Sequence, residues 1–351
     1  LILMSRYYTR VCNFFYGSKS KSLIKEKKTF PLNGNTEISF DKIEIISRKS
    51  KKNIFIKDLD KLPKKLRKQI NKDIYIVTKK KKFKNLNLTL TPNVMGILNV
   101  TPDSFSDGGK YNQKNLAKKQ LNYLFKNGAD IVDIGGESTR PGSKPVTSKV
   151  EWNRIKYILK NINKKNFISL DTRKSDIMER GINFGVKLIN DVSGLNYDEN
   201  SINILKKYNI PFVLQHSLGN PDVMQNNPKY KNVLLDIYDF FENKLHLLRE
   251  AGIKHNNIIL DPGIGFGKNL KHNITIIKNI SIYHSLGLPI LIGMSRKKFI
   301  KELSSNNDSP SRVGGSISSS IFAMTQGVQI LRVHDVNEVI QSIKVFKELI
   351  K

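Results

Sequence analysis

From Val94 to the C-terminus, short apolar runs rich in β-branched residues alternate with longer amphipathic stretches. Such a rotation predicts strands and helices in regular succession. The runs Val94–Asn99, Ile131–Gly135, Phe167–Leu170, Lys187–Ile189, Phe212–Gln215, Ile258–Leu260, Ile290–Gly293 and Gln329–Val333 read as eight strands. Helical spacing fills every interval: around Leu116–Lys126, Trp152–Asn161, Ser175–Asn183, Ser201–Tyr208, Leu234–Ala251, Ile274–His284, Ser316–Gln326 and Glu338–Glu348. Eight such units in about 260 residues predict an α/β fold, a (β/α)8 TIM barrel. An open doubly wound sheet also alternates, but it rarely has eight equal units, and no glycine fingerprint follows the first strand here.

Residues 1–91 break this rhythm. Strand-like runs at Ile38–Ile46 and Ile74–Val77 and a basic helix around Leu62–Ile70 predict a small α+β appendage. The lysine run Lys79–Lys82 and the turn-prone Thr91-Pro92-Asn93 close it. The expected division is therefore an appendage over 1–91, to which no activity is assigned, and a barrel over 92–351.

Composition narrows the classes. Hydrophobic residues at 39% allow a sizeable core. The single Cys12 excludes an intramolecular disulfide and a cysteine metal cluster, and fits a reducing compartment. A net charge of +30 invites a nucleic-acid reading. Residues 1–91 hold 24 of the 60 Lys and Arg and 7 of the 30 Asp and Glu, a net +17, whereas the other 260 carry +13 spread along their length. Lys and Asn are abundant everywhere, so the charge reads as solvated faces and nucleic acid is not the expected partner. No run approaches the ~20 apolar residues that span a bilayer. The stretch Met4–Tyr16 is basic and aromatic, without a secretory cleavage pattern or a Ser-rich transit composition, so a cytoplasmic location is expected.

Polar clusters sit where the strands end: Asn99 to Gly109, Gly135 to Gly142, Asp171-Thr172-Arg173, Asn190-Asp191, Gln215-His216, Asp261-Pro262-Gly263, Ser295-Arg296-Lys297 and Arg332-Val333-His334-Asp335. Taken singly each is weak; Asp-Pro-Gly is an ordinary turn, and a lone His216 is more often structural. In a barrel, however, these ends converge on one rim, where buried charge is costly unless it meets a polar ligand or a partner. Arg332, His334 and Thr139 supply donors for phosphate oxygens. Asp171, Asn190, Asp261 and Lys297 offer the mixed donors and acceptors that a nitrogen-rich heterocycle needs. A pyrophosphorylated ring follows from the pair. No Walker motif is present, and Gly263-Ile264-Gly265-Phe266-Gly267 lacks Rossmann spacing.

The run Met95-Gly96-Ile97-Leu98-Asn99-Val100-Thr101-Pro102-Asp103-Ser104-Phe105-Ser106-Asp107-Gly108-Gly109 resembles the opening signature of dihydropteroate synthases. Gly135 to Gly142, Ser169-Leu170-Asp171-Thr172, Ile189-Asn190-Asp191, Asp261-Pro262-Gly263, Ser295-Arg296-Lys297 and Arg332 to Val336 match in order as far as the C-terminus. The resemblance implies condensation of a pterin pyrophosphate with para-aminobenzoate, with Mg²⁺ near Asn99. By the same resemblance the pterin lies on Asp171, Asn190, Asp261 and Lys297, and the pyrophosphate on Thr139, Arg332, His334 and Asn99. Asp103, Phe105, Arg140, Pro141, Phe266 and Ser295 order the aminobenzoate pocket. The catalytic set is Asp171, Lys297, Arg332 and His334, with Asp171 stabilising a cationic pterin methylene after pyrophosphate leaves. Relatives imply a homodimer and sensitivity to sulfonamides.

Three positions depart from the family. Gln215 and Ser217 stand where Met usually flanks the fifth-strand His, so the ring-packing contact loses its usual residue; Ile264 replaces a common aromatic. Residues 1–91 lie outside the usual core and are too few for the pyrophosphokinase domain sometimes fused to it. A pterin-dependent methyltransferase would share Asp171 and Asn190 but would not need Thr139-Arg140-Pro141 or the Arg332/His334 pair. A catalytically idle, nucleic-acid-binding barrel would not need the site residues at all.

Overall fold

In the computed structural model, the residues described are 6–81, 83, 86–88, 92–101, 110–138, 143–218, 228–304 and 308–351, with side chains of 110–114 excepted. The chain opens with β1 (Tyr8–Tyr16), α1 (Gly17–Lys25), β2 (Phe30–Leu32), β3 (Asn35–Ile46), β4 (Lys51–Phe55), a 3-10 turn (Ile56–Lys61) and α2 (Lys64–Thr78). β3 is the hub of an antiparallel sheet, pairing with β1, β2 and β4. The expected strand Ile38–Ile46 falls within it. The expected strand at Ile74–Val77 is instead the last part of α2, because Ile70, Ile74 and Val77 lie on one helical face and pack with Phe40 and Ile43. A short apolar run is ambiguous between strand and buried helix until its neighbours are known.

Eight parallel strands follow: β5 (Asn93–Asn99), β6 (Ile131–Gly135), β7 (Ile168–Asp171), β8 (Leu188–Asp191), β9 (Phe212–Gln215), β10 (Ile258–Asp261), β11 (Leu291–Gly293) and β12 (Ile330–Val333). Their order is β10-β9-β8-β7-β6-β5-β12-β11, and a parallel bridge from Leu260 to Ile290 joins the two ends. The result is a (β/α)8 barrel. Its helices are α3 (Lys110–Lys126), α4 (Ser148–Lys160), α5 (Ser175–Asn183), α6 (Ser201–Tyr208), α7 (Val233–Glu250), α8 (Leu270–Lys278), α9 (Lys298–Ser304), α10 (Val313–Met324) and α11 (Val336–Leu349). The short α9 lies outside every expected helix.

Alternate residues on each strand point to opposite faces. Outward ones such as Val132, Leu170, Ile189 and Leu331 pack under the helices. Inward ones at the strand starts (Met95, Ile131, Phe167, Leu188, Val213, Ile259, Leu291, Ile330) form a separate apolar layer, which Leu88 joins with Phe83 and Leu86 packed against it. The next inward positions carry the chemistry.

The expected helix Ile274–His284 splits into α8 and a 3-10 turn, Ile280–Leu286. The appendage dictates the break. The Ser281 hydroxyl donates to Val11 O at 2.7 Å, and the buried His284 ring meets Asn33 on one side and the Gln326 carbonyl on the other. Tyr8 joins the outer core of the barrel, and its hydroxyl donates to Asp239 of α7 at 2.8 Å. Arg48 reaches Asp236 and Asp239 at 2.7 and 2.6 Å. Gly327 is needed where Leu32 docks: φ is +78°, and a Cβ there would lie 2.2 Å from the leucine. No helix among the described residues is long and apolar enough to cross a membrane.

Candidate active site

The strand registers line up the polar ends. Asn99 pairs with Gly135, Gly135 with Asp171, and Asp171 with Asn190. A Cβ on Gly135 would sit 3.4 Å from Asp171 Cβ and 3.6 Å from Asn99 Oδ1, so Asn99 and Asp171 flank this glycine. Across the barrel, Arg332 on β12 donates from Nε to Asp133 Oδ2 at 2.7 Å and from Nη2 to Asp171 Oδ2 at 2.8 Å. Asn190 Nδ2 donates to the same Asp133 oxygen at 2.8 Å. The other oxygens of this floor, Asp133 Oδ1, Asp171 Oδ1 and Asn190 Oδ1, are buried and find no hydrogen-bond partner among the described residues. Three buried acceptors without donors are costly alone, and those of Asp171 and Asn190 are well matched to a ligand edge rich in N–H groups.

Burial sets the charges. It pushes the Asp171 carboxyl well up, with Arg332 opposing and Asp133 reinforcing the shift. Asp261 shifts upward for the same reason, opposed first by Lys297, and its Oδ1 accepts from Gly263 N at 2.8 Å. Gly263 fits only as glycine: φ is +67°, and a Cβ would lie 2.0 Å from the His216 carbonyl oxygen. Lys297 is lowered to about 8, chiefly by burial. Its ammonium donates to the Ile264 carbonyl and lies 4.5 Å from the Phe266 ring centre. Ser295 Oγ meets His334 at both the backbone N–H, 3.2 Å, and Nδ1, 3.1 Å. Arg296, in the left-handed region at φ +60°, pairs with Asp335 and so ties the ends of β11 and β12 together.

The structure thus brings together Asp171, Asn190 and Arg332, and stitches Ser295 to His334 and Lys297 to Phe266. Asp103, Phe105, Thr139, Arg140 and Pro141 lie outside the described residues. His216 is buried, and aromatic and lysine side chains take up its ring. Its ring is buried edge-on to Phe240, and Lys268 Nζ lies 3.0 Å from Nδ1. Gln215 is buried and reaches the Val192 carbonyl at 3.5 Å.

Three features carry roles that the reading of strand ends did not assign. Asp133 sits in mid-strand, fully buried; the signal was a carboxylate inside the apolar run Ile131–Gly135. Glu137 anchors Arg173 at 3.1 Å, Lys174 at 3.0 Å and the Val146 N–H at 2.8 Å, while Lys174 also meets Glu151 at 2.6 Å. Lys268 is buried and donates to the carbonyls of Gly263 and Phe266, both at 2.9 Å, which fixes the loop after β10. A cavity of about 700 Å³ lined by Asp130, Lys165 and Lys187 lies at the opposite end of the barrel, and none of its described lining residues carries an unpartnered buried side-chain polar atom.

No cluster of three or more His, Cys, Asp or Glu able to hold a metal exists among the described residues. Mg²⁺ needs less, since it is commonly held by one or two protein oxygens plus substrate phosphates. The amide oxygen of Asn99 beside Asp171 fits that pattern.

The model of the pterin binding enzyme family matches residues 95–334. The chain belongs to the dihydropteroate synthase family. The dihydropteroate synthase of Escherichia coli (strain K12) is 40% identical over 257 residues, 72% of this chain and 90% of that protein. The Xanthomonas albilineans dihydropteroate synthase solved with 4-aminobenzoic acid superposes with a TM-score of 0.71 at 34% identity, covering 75% of this chain and 94% of that one. The Yersinia pestis dihydropteroate synthase solved with a sulfonamide drug complex gives a TM-score of 0.71 at 38% identity, covering 76% and 98%. All three matches leave about a quarter of this chain uncovered.

Proposed function

We infer that this chain condenses 6-hydroxymethyl-7,8-dihydropterin pyrophosphate with para-aminobenzoate, giving 7,8-dihydropteroate and pyrophosphate for folate synthesis. The observation that carries the reading at residue level is the floor of buried acceptors on Asp133, Asp171 and Asn190, spanned by Arg332. A flat heterocycle with several ring and amino N–H groups satisfies the acceptors of Asp171 and Asn190, with Asp261 and Lys297 completing its edge. Arg332 and His334, with Thr139 and Asn99, take the pyrophosphate. Mg²⁺ held by Asn99 and the substrate's own phosphate oxygens would neutralise charge on the leaving group.

The bond from the pterin methylene carbon to pyrophosphate oxygen breaks, the carbon–nitrogen bond to the arylamine forms, and the nitrogen gives up one proton to the departing pyrophosphate or to solvent. The ionised form of Asp171 stabilises the positive charge on the pterin between those events. No enzyme nucleophile is required. Asp103, Phe105, Arg140, Pro141, Phe266 and Ser295 form the aminobenzoate side, where sulfonamides compete. Lys297 against the Phe266 ring supports that assignment by joining the two subsites.

We place the boundary between appendage and barrel at residue 92 and the protein in the cytoplasm. A homodimer is expected through α10. That helix carries no charged residue, and its Gly314, Ile317, Ser318, Ile321 and Phe322 share a face that is at least partly exposed.

Turnover of the purified chain with the pterin pyrophosphate and para-aminobenzoate, with and without Mg²⁺, tests the function. Metal-dependent formation of dihydropteroate and pyrophosphate is expected. A folded protein that forms neither product overturns it.

A further inference from the structure

We propose that Asp133 is a positioning residue that selects the pterin by locking the amide of Asn190 in one orientation. The inference rests on the dihydropteroate synthase reading and deepens it. Asp133 is completely buried in the middle of β6, one inward position below Gly135. Its Oδ2 receives two donors, Asn190 Nδ2 at 2.8 Å and Arg332 Nε at 2.7 Å. An ionised carboxylate only accepts, and the guanidinium beside it is its counter-ion. Asn190 must therefore turn its NH2 toward Asp133.

The consequence lies on the other side of the amide. Asn190 Oδ1 is left buried with no hydrogen-bond partner among the described residues, as is Oδ1 of Asp171, its register partner on the neighbouring strand. Both present acceptors to the same ligand edge. An amide free to flip would offer either a donor or an acceptor, and a donor there would face an N–H group of the dihydropterin. Asp133 removes that freedom without touching the ring. Because Arg332 also reaches Asp171, the same carboxylate holds the guanidinium level with the floor.

The test is calorimetric binding of unphosphorylated 6-hydroxymethyl-7,8-dihydropterin, which isolates the ring contacts from the Arg332–pyrophosphate contact, together with steady-state kinetics. Asp133→Asn lets residue 133 donate to Asn190 and turn its NH2 inward. Pterin affinity is expected to fall about 10- to 100-fold, as for a mispaired buried polar group. KM for para-aminobenzoate should stay unchanged. The double swap Asp133→Asn with Asn190→Asp restores an acceptor facing the ring, since the amide introduced at position 133 then donates to one oxygen of residue 190, and most of the affinity should return.

Pterin affinity of Asp133→Asn within about threefold of the parent, or a folded swap variant no better than the single one, overturns the proposal. If Asp133→Asn does not fold, the swap alone decides, by binding the pterin near the parental affinity or failing to. A parent protein that binds no pterin would sink the functional reading instead, which keeps the two failures distinguishable.

Discussion

The two inward layers of the barrel are built on the same eight strands, a few residues apart, and obey opposite rules. The lower layer, from Met95 and Ile131 round to Ile330, is wholly apolar and sealed by Leu88. The upper layer holds Asp133, Asp171, Asn190, Asp261 and Arg332, and one oxygen each on Asp133, Asp171 and Asn190 meets no protein donor among the described residues. Close packing lets the lower layer contribute stability. The upper layer costs stability in the absence of ligand and is worthwhile only for the ligand it meets. Substitutions on the two levels should therefore separate activity from stability.

The largest effect is expected at Asp171. Asp171→Ala should reduce turnover by about 10²- to 10³-fold, the scale for losing a charge-stabilising group, while the circular dichroism spectrum stays parental. Normal turnover would remove Asp171 from cation stabilisation. One layer down, Ile131→Ala should cost about 2–5 kcal/mol in denaturant unfolding, with KM values unaltered at a temperature where the variant is folded. A raised pterin KM without lost stability would break the division between layers.

A subtler separation comes from pH. Burial lowers Lys297 to about 8 from its ordinary 10.5. A Lys297 that must be charged to serve the pterin makes kcat/KM for the pterin substrate fall as pH rises through about 8. Between about 8 and 10.5 the folded protein binds fewer protons at this site than the unfolded chain does, so this residue's contribution to stability rises with pH over that window. Activity and this stability component thus move in opposite directions, which distinguishes titration from unfolding. Lys297→Arg should keep the charge and shift the alkaline limb upward; an unmoved limb would assign it to another group.

The smallest effect is expected on the outer wall. Arg48 is 43% exposed where it meets Asp236 and Asp239, so Arg48→Ala should shift unfolding by less than about 1 kcal/mol. A larger loss would mean that docking of the appendage depends on this pair rather than on the buried contacts of Tyr8, Ser281 and Gly327.

Much of the architecture was legible because barrel strands and helices carry different hydrophobic periods, each dictated locally. Eight apolar runs became eight strands, with ends within a residue or two. The site was legible where polar residues followed strand ends, as at Asp171, Asp261 and Lys297. It was not legible at Asp133, whose meaning depends on which face of β6 it occupies and on an arginine 199 residues away. Ile74–Val77 and Ile274–His284 were misread for a related reason: packing against Phe40 and Ile43 within the appendage makes the first helical, and docking of the appendage on the barrel accompanies the break in the second.

The sequence by itself determined the succession of elements, the barrel and the family, because each follows from patterns within a few residues or from motifs in fixed order. Only the tertiary structure decided which oxygen of Asp133 serves Asn190 and Arg332, which way the Asn190 amide points, and how the appendage seats on α7 and the turn after α8. Those outcomes depend on side chains from distant strands meeting inside a closed barrel, where burial makes every unpaired polar atom costly and so fixes its orientation.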